Sequence, residues 1–237
     1  ISSAIESVAM QDYGDIEYII IDGASNDGTV TVIQSFSNKV SQFVSEPDKG
    51  IYDAMNKGLA LATGDVIGIL NSDDFYPNAS VIADVVKVFD ANRSVDMVLG
   101  NVDFVHPDDL TRPVRFYSSF NFKPWKMRFG LMPPHPAAFI RRSAYEKVGA
   151  YKLGYKIGAD FEWFVRAFLM HKLTYVKLNK TLVRMREGGV STSGLKSYRV
   201  SAKEMLRALR ENGVYSNMAL ILTRLPIKFF HKIFRKG

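Results

Sequence analysis

The chain has 237 residues, 47% hydrophobic and 23% charged, with no cysteine and a net charge of +7. That composition suits a globular core rather than a disordered chain and excludes a disulfide framework, a thiolate metal site and a cysteine nucleophile. No apolar run approaches the roughly 20 residues that span a bilayer.

The charge is uneven. Between Lys196 and Gly237 ten Lys or Arg face only Glu204 and Glu211, leaving the first 195 residues close to neutral. The basicity belongs to the C-terminal stretch and says nothing about what the body binds.

Ile5, Val8 and Ala9 share a helical face, and Ile16 to Ile21 reads as a strand ending at Asp22. The turn Asp22–Thr29, dense in capping residues, leads into a helix through about Phe36. Gln42 to Ser45 is a short strand, Glu46–Gly50 a turn, and Tyr52, Met55, Leu59 and Ala62 mark an amphipathic helix. Val66 to Leu70 is a buried strand that runs out into Asn71-Ser72-Asp73-Asp74. A helix over about 79–91 and a strand near 97–105 complete an alternating pattern, the mark of a mainly parallel sheet in an α/β fold.

Beyond 105 the pattern changes. Pro113 to Tyr117 is extended, and Met132-Pro133-Pro134-His135-Pro136 is a stiff non-helical loop. A helix covers about 159–171, two short strands cover 174–177 and 181–185, and a basic helix runs from about 197 to 211. The organisation expected is residues 1–195 as one domain, with halves 1–105 and 106–195, and 196–237 as a basic helical tail. The chain opens inside a helix, where a nucleotide-binding α/β unit opens with a strand, so a first strand is expected to be missing.

Asp73 and Asp74 follow the buried strand. Ligands of open α/β sheets bind beyond the carboxyl ends of strands, and adjacent carboxylates repel unless a cation or hydroxyl takes their lone pairs. A Mg²⁺-type ion holding a diphosphate fits there; a solvated turn with Asp74 capping the next helix is the plain alternative.

Three stretches in this order resemble family 2 glycosyltransferases of the GT-A fold: Ile20 to Thr29 (IIDGASNDGT), Glu46 to Gly58 (EPDKGIYDAMNKG) followed by Ala62-Thr63-Gly64-Asp65, and Asn71 to Asp74. Ile21 stands where the family's first element has Asp, and Asn71 replaces the first Asp of its D-x-D-D element. The resemblance implies an inverting, metal-dependent transferase of bacterial surface polysaccharide assembly. It would move one sugar from a nucleotide donor, UDP-linked by preference, to a glycan or lipid-linked glycan. Asp22, Ser25, Asp48, Asn56, Lys57 and Asp73 become nucleotide-sugar-binding candidates, and Asp74 the ligand of Mn²⁺ or Mg²⁺. The QxxRW element of processive synthases is absent. A nucleotide-sugar-binding protein without catalysis is the second reading.

Ile157-Gly158-Ala159-Asp160-Phe161-Glu162-Trp163 resembles the family's acidic element at a helix start. Asp160 is accordingly the candidate general base, with helix capping as the alternative. Glu162 falls elsewhere on the helix, as a surface or acceptor contact. His135 is a candidate for the acceptor pocket. Arg184, Arg186 and Gly188–Ser191 resemble a cover over the diphosphate, or form an ordinary surface loop.

In the last residues Ile227, Phe230 and Phe234 form one stripe, with Lys228, Lys232, Arg235 and Lys236 toward the other side. Such helices lie on anionic membranes, which points to a peripheral protein on the cytoplasmic face of the inner membrane. Packing on the body is the alternative. No nucleic-acid motif accompanies the basic residues, so no nucleic-acid partner is expected.

Overall fold

The computed structural model describes residues 1–188 and 194–224. The elements are α1 (Ser2–Ala9), β1 (Ile19–Asp22), α2 (Thr29–Ser35), β2 (Gln42–Ser45), α3 (Ile51–Leu61), β3 (Val66–Gly68), α4 (Val81–Ala91) and β4 (Met97–His106). They continue with β5 (Asp109–Tyr117), β6 (Ala138–Arg141), α5 (Arg142–Val148), α6 (Ala159–Val165), β7 (Tyr175–Arg186), α7 (Gly194–Glu211) and α8 (Met218–Leu222). The helices of the first half bury different amounts: α2 buries only Ile33 and α3 only Tyr52. In α4 the buried Val81, Val85 and Phe89 recur every four residues, which puts them on one face.

The α/β class stands, but the sheet is mixed rather than mainly parallel. β1 and β2 pair in parallel as a two-stranded sheet. The larger sheet runs β3-β6-β4-β5, with β7 also on β4. Only β4–β7 is parallel there; β3–β6, β4–β6 and β4–β5 are antiparallel. The cause is β6, a four-residue strand inserted between β3 and β4 and reached by the proline-rich loop. The two strands expected around 174–185 are one strand, β7. Its register against β4 slips between Leu99–Lys177 and Asn101–Thr181, so the polar residues Asn179 and Lys180 form a bulge instead of a break. Gly100 allows this close approach, since a Cβ there would stand 2.3 Å from Leu182.

The main core gathers around α6, whose Phe161, Trp163, Phe164 and Val165 are fully buried. Only Asp160 of this helix keeps partial exposure, at the cleft, and the charged Glu162 is buried with its partners. Ala202, Met205, Leu206, Ala208 and Leu209 of α7 complete the same cluster. Residues 194–211 thus form a helix packed onto the body, with Glu204 turned inward to the turn before α6. Among the described residues no helix is long and apolar enough to cross a membrane. The stripe Ile227–Phe234 and residues 189–191 of the loop lie outside the described residues.

Candidate active site

A cleft of about 2340 Å³ runs between the two sheets and on toward α6 and α8, lined by Ile21, Ile67, Asp73, His135, Asp160 and Arg224 among others. The candidates fall into three groups: Asp73, His135 and Asp160 line the cleft, whereas Asp22, Ser25 and Asp48 are not among its lining residues.

The first lies at the end of β1. Asp22 is buried and accepts hydrogen bonds from Ser45 Oγ at 2.6 Å and the Ser25 N–H at 3.0 Å. Burial raises its pKa, but the bonds from Ser25, Ser45 and the Ala24 N–H outweigh that and hold the carboxyl below its usual range. Asp48 stands opposite. A Cβ on Gly23 would come within 2.4 Å of Asp48 Oδ2, so a side chain there would push that carboxylate aside. Ala24 adopts φ 63°, a left-handed conformation that a non-glycine residue takes only when the surroundings impose it. Asp22, Ser25 and Asp48 are therefore brought together, in a locally strained turn.

Two neighbours in the sequence block do other work. Asn56 donates Nδ2 to the Tyr151 carbonyl and accepts the Tyr151 N–H, both at 2.8 Å. These two bonds tie α3 to the main chain at Tyr151 and leave one N–H and one lone pair of the amide unused. Lys57 binds Glu46 at 2.8 Å and the Pro47 carbonyl at 2.9 Å, fixing the loop that carries Asp48.

The second group is the acidic turn. Asp73 is exposed and lines the cleft, whereas Asp74 is 0% exposed. Asp74 Oδ2 accepts from Asn71 Nδ2 at 2.8 Å, and Oδ1 has no partner. Burial pushes this carboxyl up to about 7, against the Asn71 bond, with Asp73 adding to the rise and Arg186 opposing it. Arg186 donates to the Asp73 carbonyl at 2.7 Å and to Ser3 Oγ at 2.9 Å. The main chain of Arg184 pairs with Phe75 through two bonds of 2.8 and 3.0 Å. β7 thereby clamps the turn from behind. The Arg184 side chain lines a separate, smaller pocket with Asp84 and Asp103, so it is not brought to the cleft.

Among the described residues no three His, Cys, Asp or Glu cluster as metal ligands. An ion of the Mg²⁺ class needs only one or two carboxylates when phosphate oxygens supply the rest. Asp73 at the cleft meets that need, and the orphaned Asp74 Oδ1 is an acceptor behind it. The residues fit such an ion, through the accessible Asp73 at the cleft and the partnerless Oδ1 of Asp74.

The third group surrounds Asp160. This half-buried carboxylate lines the cleft, accepting from the Phe161 N–H at 2.7 Å and from Tyr52 Oη at 3.4 Å. Burial pushes it up to about 6, partly offset by those bonds. The turn before it is held by Glu204, whose carboxylate accepts the N–H groups of Lys156, Ile157 and Gly158 at 2.8–2.9 Å. His135 also lines the cleft, bound to Tyr151 Oη at 2.7 Å, and burial pushes its imidazole down to about 4. It is neutral at physiological pH. Glu162 is not at the surface. It is fully buried, paired with Arg166 and Lys152 at 2.9 Å each, and accepts from Asn212 at 3.1 Å. Tyr52, Glu204, Arg115 and Arg224 reach the site without being singled out by sequence; only Tyr52 had a signal, its place inside the Glu46–Gly58 block.

A PGL/p-HBAD biosynthesis glycosyltransferase of Mycobacterium bovis (strain BCG / Pasteur 1173P2) is 28% identical over 211 residues, 87% of this chain and 77% of the relative. An uncharacterized glycosyltransferase of Mycobacterium tuberculosis (strain CDC 1551 / Oshkosh) is 36% identical over 169 residues, 70% of this chain and 63% of the relative. TarS 1-349 of S. aureus in complex with UDP-GlcNAc superposes with TM-score 0.67 at 18% identity, over 94% of this chain and 66% of its own. The mannosyltransferase PcManGT of Pyrobaculum calidifontis, in complex with GDP-Man and Mn²⁺, gives 0.63 at 20%, over 90% and 59%. These structures share the GT-A fold with this chain, which spans about 60% of the length of several of them. The family model described as glycosyl transferase family 2 matches residues 1–149, well over half of the sequence, and the chain belongs to that family.

Proposed function

We propose that this chain forms the catalytic unit of an inverting glycosyltransferase that moves one sugar from a nucleotide donor, UDP-linked by preference, to a hydroxyl of a glycan or lipid-linked glycan. The observation that carries the reading is the single cleft lined by both Asp73 and Asp160. In this reading Asp73 meets the diphosphate, while Asp160 is a carboxylate raised toward neutrality. Nucleotide sugars in two solved relatives, UDP-GlcNAc and GDP-Man, support the donor class. The biosynthetic role of the M. bovis relative supports a glycan or glycolipid product.

Asp160 accepts the proton of the acceptor hydroxyl as its oxygen bonds to the anomeric carbon. The bond to the diphosphate breaks on the opposite face, its electron pair leaves with the nucleoside diphosphate, and the anomeric configuration inverts. With a pKa near 6 the carboxylate is largely ionised at pH 7 and still basic enough to hold the proton. In this reading Asp22, at the end of β1, and Asp48, in the loop after β2, read the nucleoside. Asp73 would hold Mn²⁺ or Mg²⁺, with Asp74 behind it. When bound, that ion supplies a Lewis acid for the departing diphosphate. His135, neutral and fixed by Tyr151, shapes the acceptor side.

The C-terminal residues from Leu225 onward, basic and aromatic, support a peripheral place on the inner face of the plasma membrane. Incubating the protein with UDP-, GDP- and dTDP-sugars, with and without Mn²⁺, and following nucleoside diphosphate release tests the reading. Mn²⁺-dependent release from one donor supports it. Tight donor binding without release, across a panel of glycan acceptors, identifies the non-catalytic binder instead.

A further inference from the structure

Arg224, at the end of α8, is 2% exposed and yet borders the cleft. Its Nε has no partner, Nη2 reaches Ser201 Oγ at 3.3 Å, and Nη1 lies against the Met205 sulfur. No carboxylate pairs with it among the described residues. A buried guanidinium stays charged, and burying a charge is costly without an anion beside it. Gly130 makes room for it, since a Cβ there would stand 3.2 Å from Arg224 Cδ. Space is kept for this cation.

Arg115 borders the same cleft from β5. Its guanidinium lies 3.4 Å from the centre of the Phe104 ring, and it forms no ion pair among the described residues, although the exposed Glu187 is within electrostatic reach. Both arginines act electrostatically on the Tyr117 and Tyr198 hydroxyls, and Asp160 acts on Tyr117 as well. Ser201 and Met205, which touch Arg224, flank Glu204, the residue holding the turn before Asp160. The two guanidiniums therefore belong to the Asp160 end of the cleft. The Asp73–Asp74 end has its own cation, Arg186.

We infer that Arg224 and Arg115 form a binding site for a phosphate group carried by the acceptor, beside Asp160 and separate from the donor diphosphate. Two unpaired guanidiniums match a phosphate dianion in charge, and their forked donors match its oxygens. The inference rests on the assignment of the Asp160 end to the acceptor. The phosphate source is either a small phosphorylated molecule or a lipid headgroup at a membrane surface.

The test is binding of inorganic phosphate to the full chain by calorimetry, with UDP saturating the donor site, followed by glycerol 3-phosphate and by vesicles of phosphatidic acid. Phosphate should bind with UDP present, and Arg224→Met and Arg115→Met should each weaken it tenfold or more while leaving UDP affinity unchanged. Arg224→Met should also melt at or above the wild-type temperature without phosphate, since it removes an uncompensated buried charge. A lower melting temperature marks the arginine as a structural element and overturns the site. So does displacement of phosphate by UDP, or undiminished phosphate binding by both variants. Arginine-dependent binding of glycerol 3-phosphate supports a soluble acceptor; arginine-dependent binding of the vesicles alone supports a lipid one. Phosphate binding is read without turnover, so loss of the catalytic reading, through a fully active Asp160→Asn, registers separately.

Discussion

The Glu204 carboxylate accepts the Gly158 N–H at 2.9 Å, two residues before Asp160, and so couples α7 to the start of α6. With the Lys156 and Ile157 bonds it satisfies three consecutive donors at a helix entry that no side-chain cap serves. Bonds to a charged acceptor stabilise by about 1.5–3 kcal/mol each, though they are not additive. Glu204→Ala should lower stability by about 2–4 kcal/mol in denaturant unfolding and reduce turnover at temperatures where the fold persists. An unchanged rate at equal folded fraction would show that the turn holds itself.

Asp74 predicts a pH dependence of stability. Its carboxyl titrates near 7 in the fold and near 3.8 unfolded, so the folded state binds the proton more tightly. Stability from this group is therefore fully present below about pH 4 and is lost as pH rises to 7. Three pKa units correspond to on the order of 4 kcal/mol. Without divalent ions, Asp74→Asn should exceed wild type in stability at pH 8 and converge with it near pH 4. Parallel curves across that range would refute the buried, partnerless carboxylate.

How far the sequence alone carries the fold follows from how local each signal is. β1, α3, β3 and α4 are read from short periods and turn residues, and Asp22, Asp73 and Asp160 from motifs at element ends. β6 is four residues, Ala138–Arg141, too short for a period, and its antiparallel insertion turns a parallel expectation into a mixed sheet. Asn56 carries the right chemistry in the right block, but its partner Tyr151 is distant in sequence; Glu162 pairs locally with Arg166, yet its burial also depends on Lys152 and the distant Asn212. Glu204 and Arg224 stand in a segment whose net basicity suggests a solvated surface. Their roles depend on α7 folding back onto α6, which no local pattern announces.

The tail gives a third test. Truncation before Leu225 removes a stripe of aromatics and four basic residues, Lys228, Lys232, Arg235 and Lys236, each contributing on the order of 1 kcal/mol at an anionic surface. The truncated chain should lose sedimentation with anionic vesicles, while the full chain should lose it only as salt rises. Vesicle binding that survives truncation would move the contact elsewhere.

The most direct test of the account is Asp160→Asn, read by calorimetric binding of the nucleotide sugar and by release of the nucleoside diphosphate across pH. Wild-type kcat/KM should fall below about pH 6 with a one-proton slope, following the raised carboxyl. The variant should bind donor as the wild type does and lose about 10²–10⁴-fold in release, the usual worth of a general base. A variant that releases the diphosphate at the wild-type rate, with the same pH profile, would contradict Asp160 as the base.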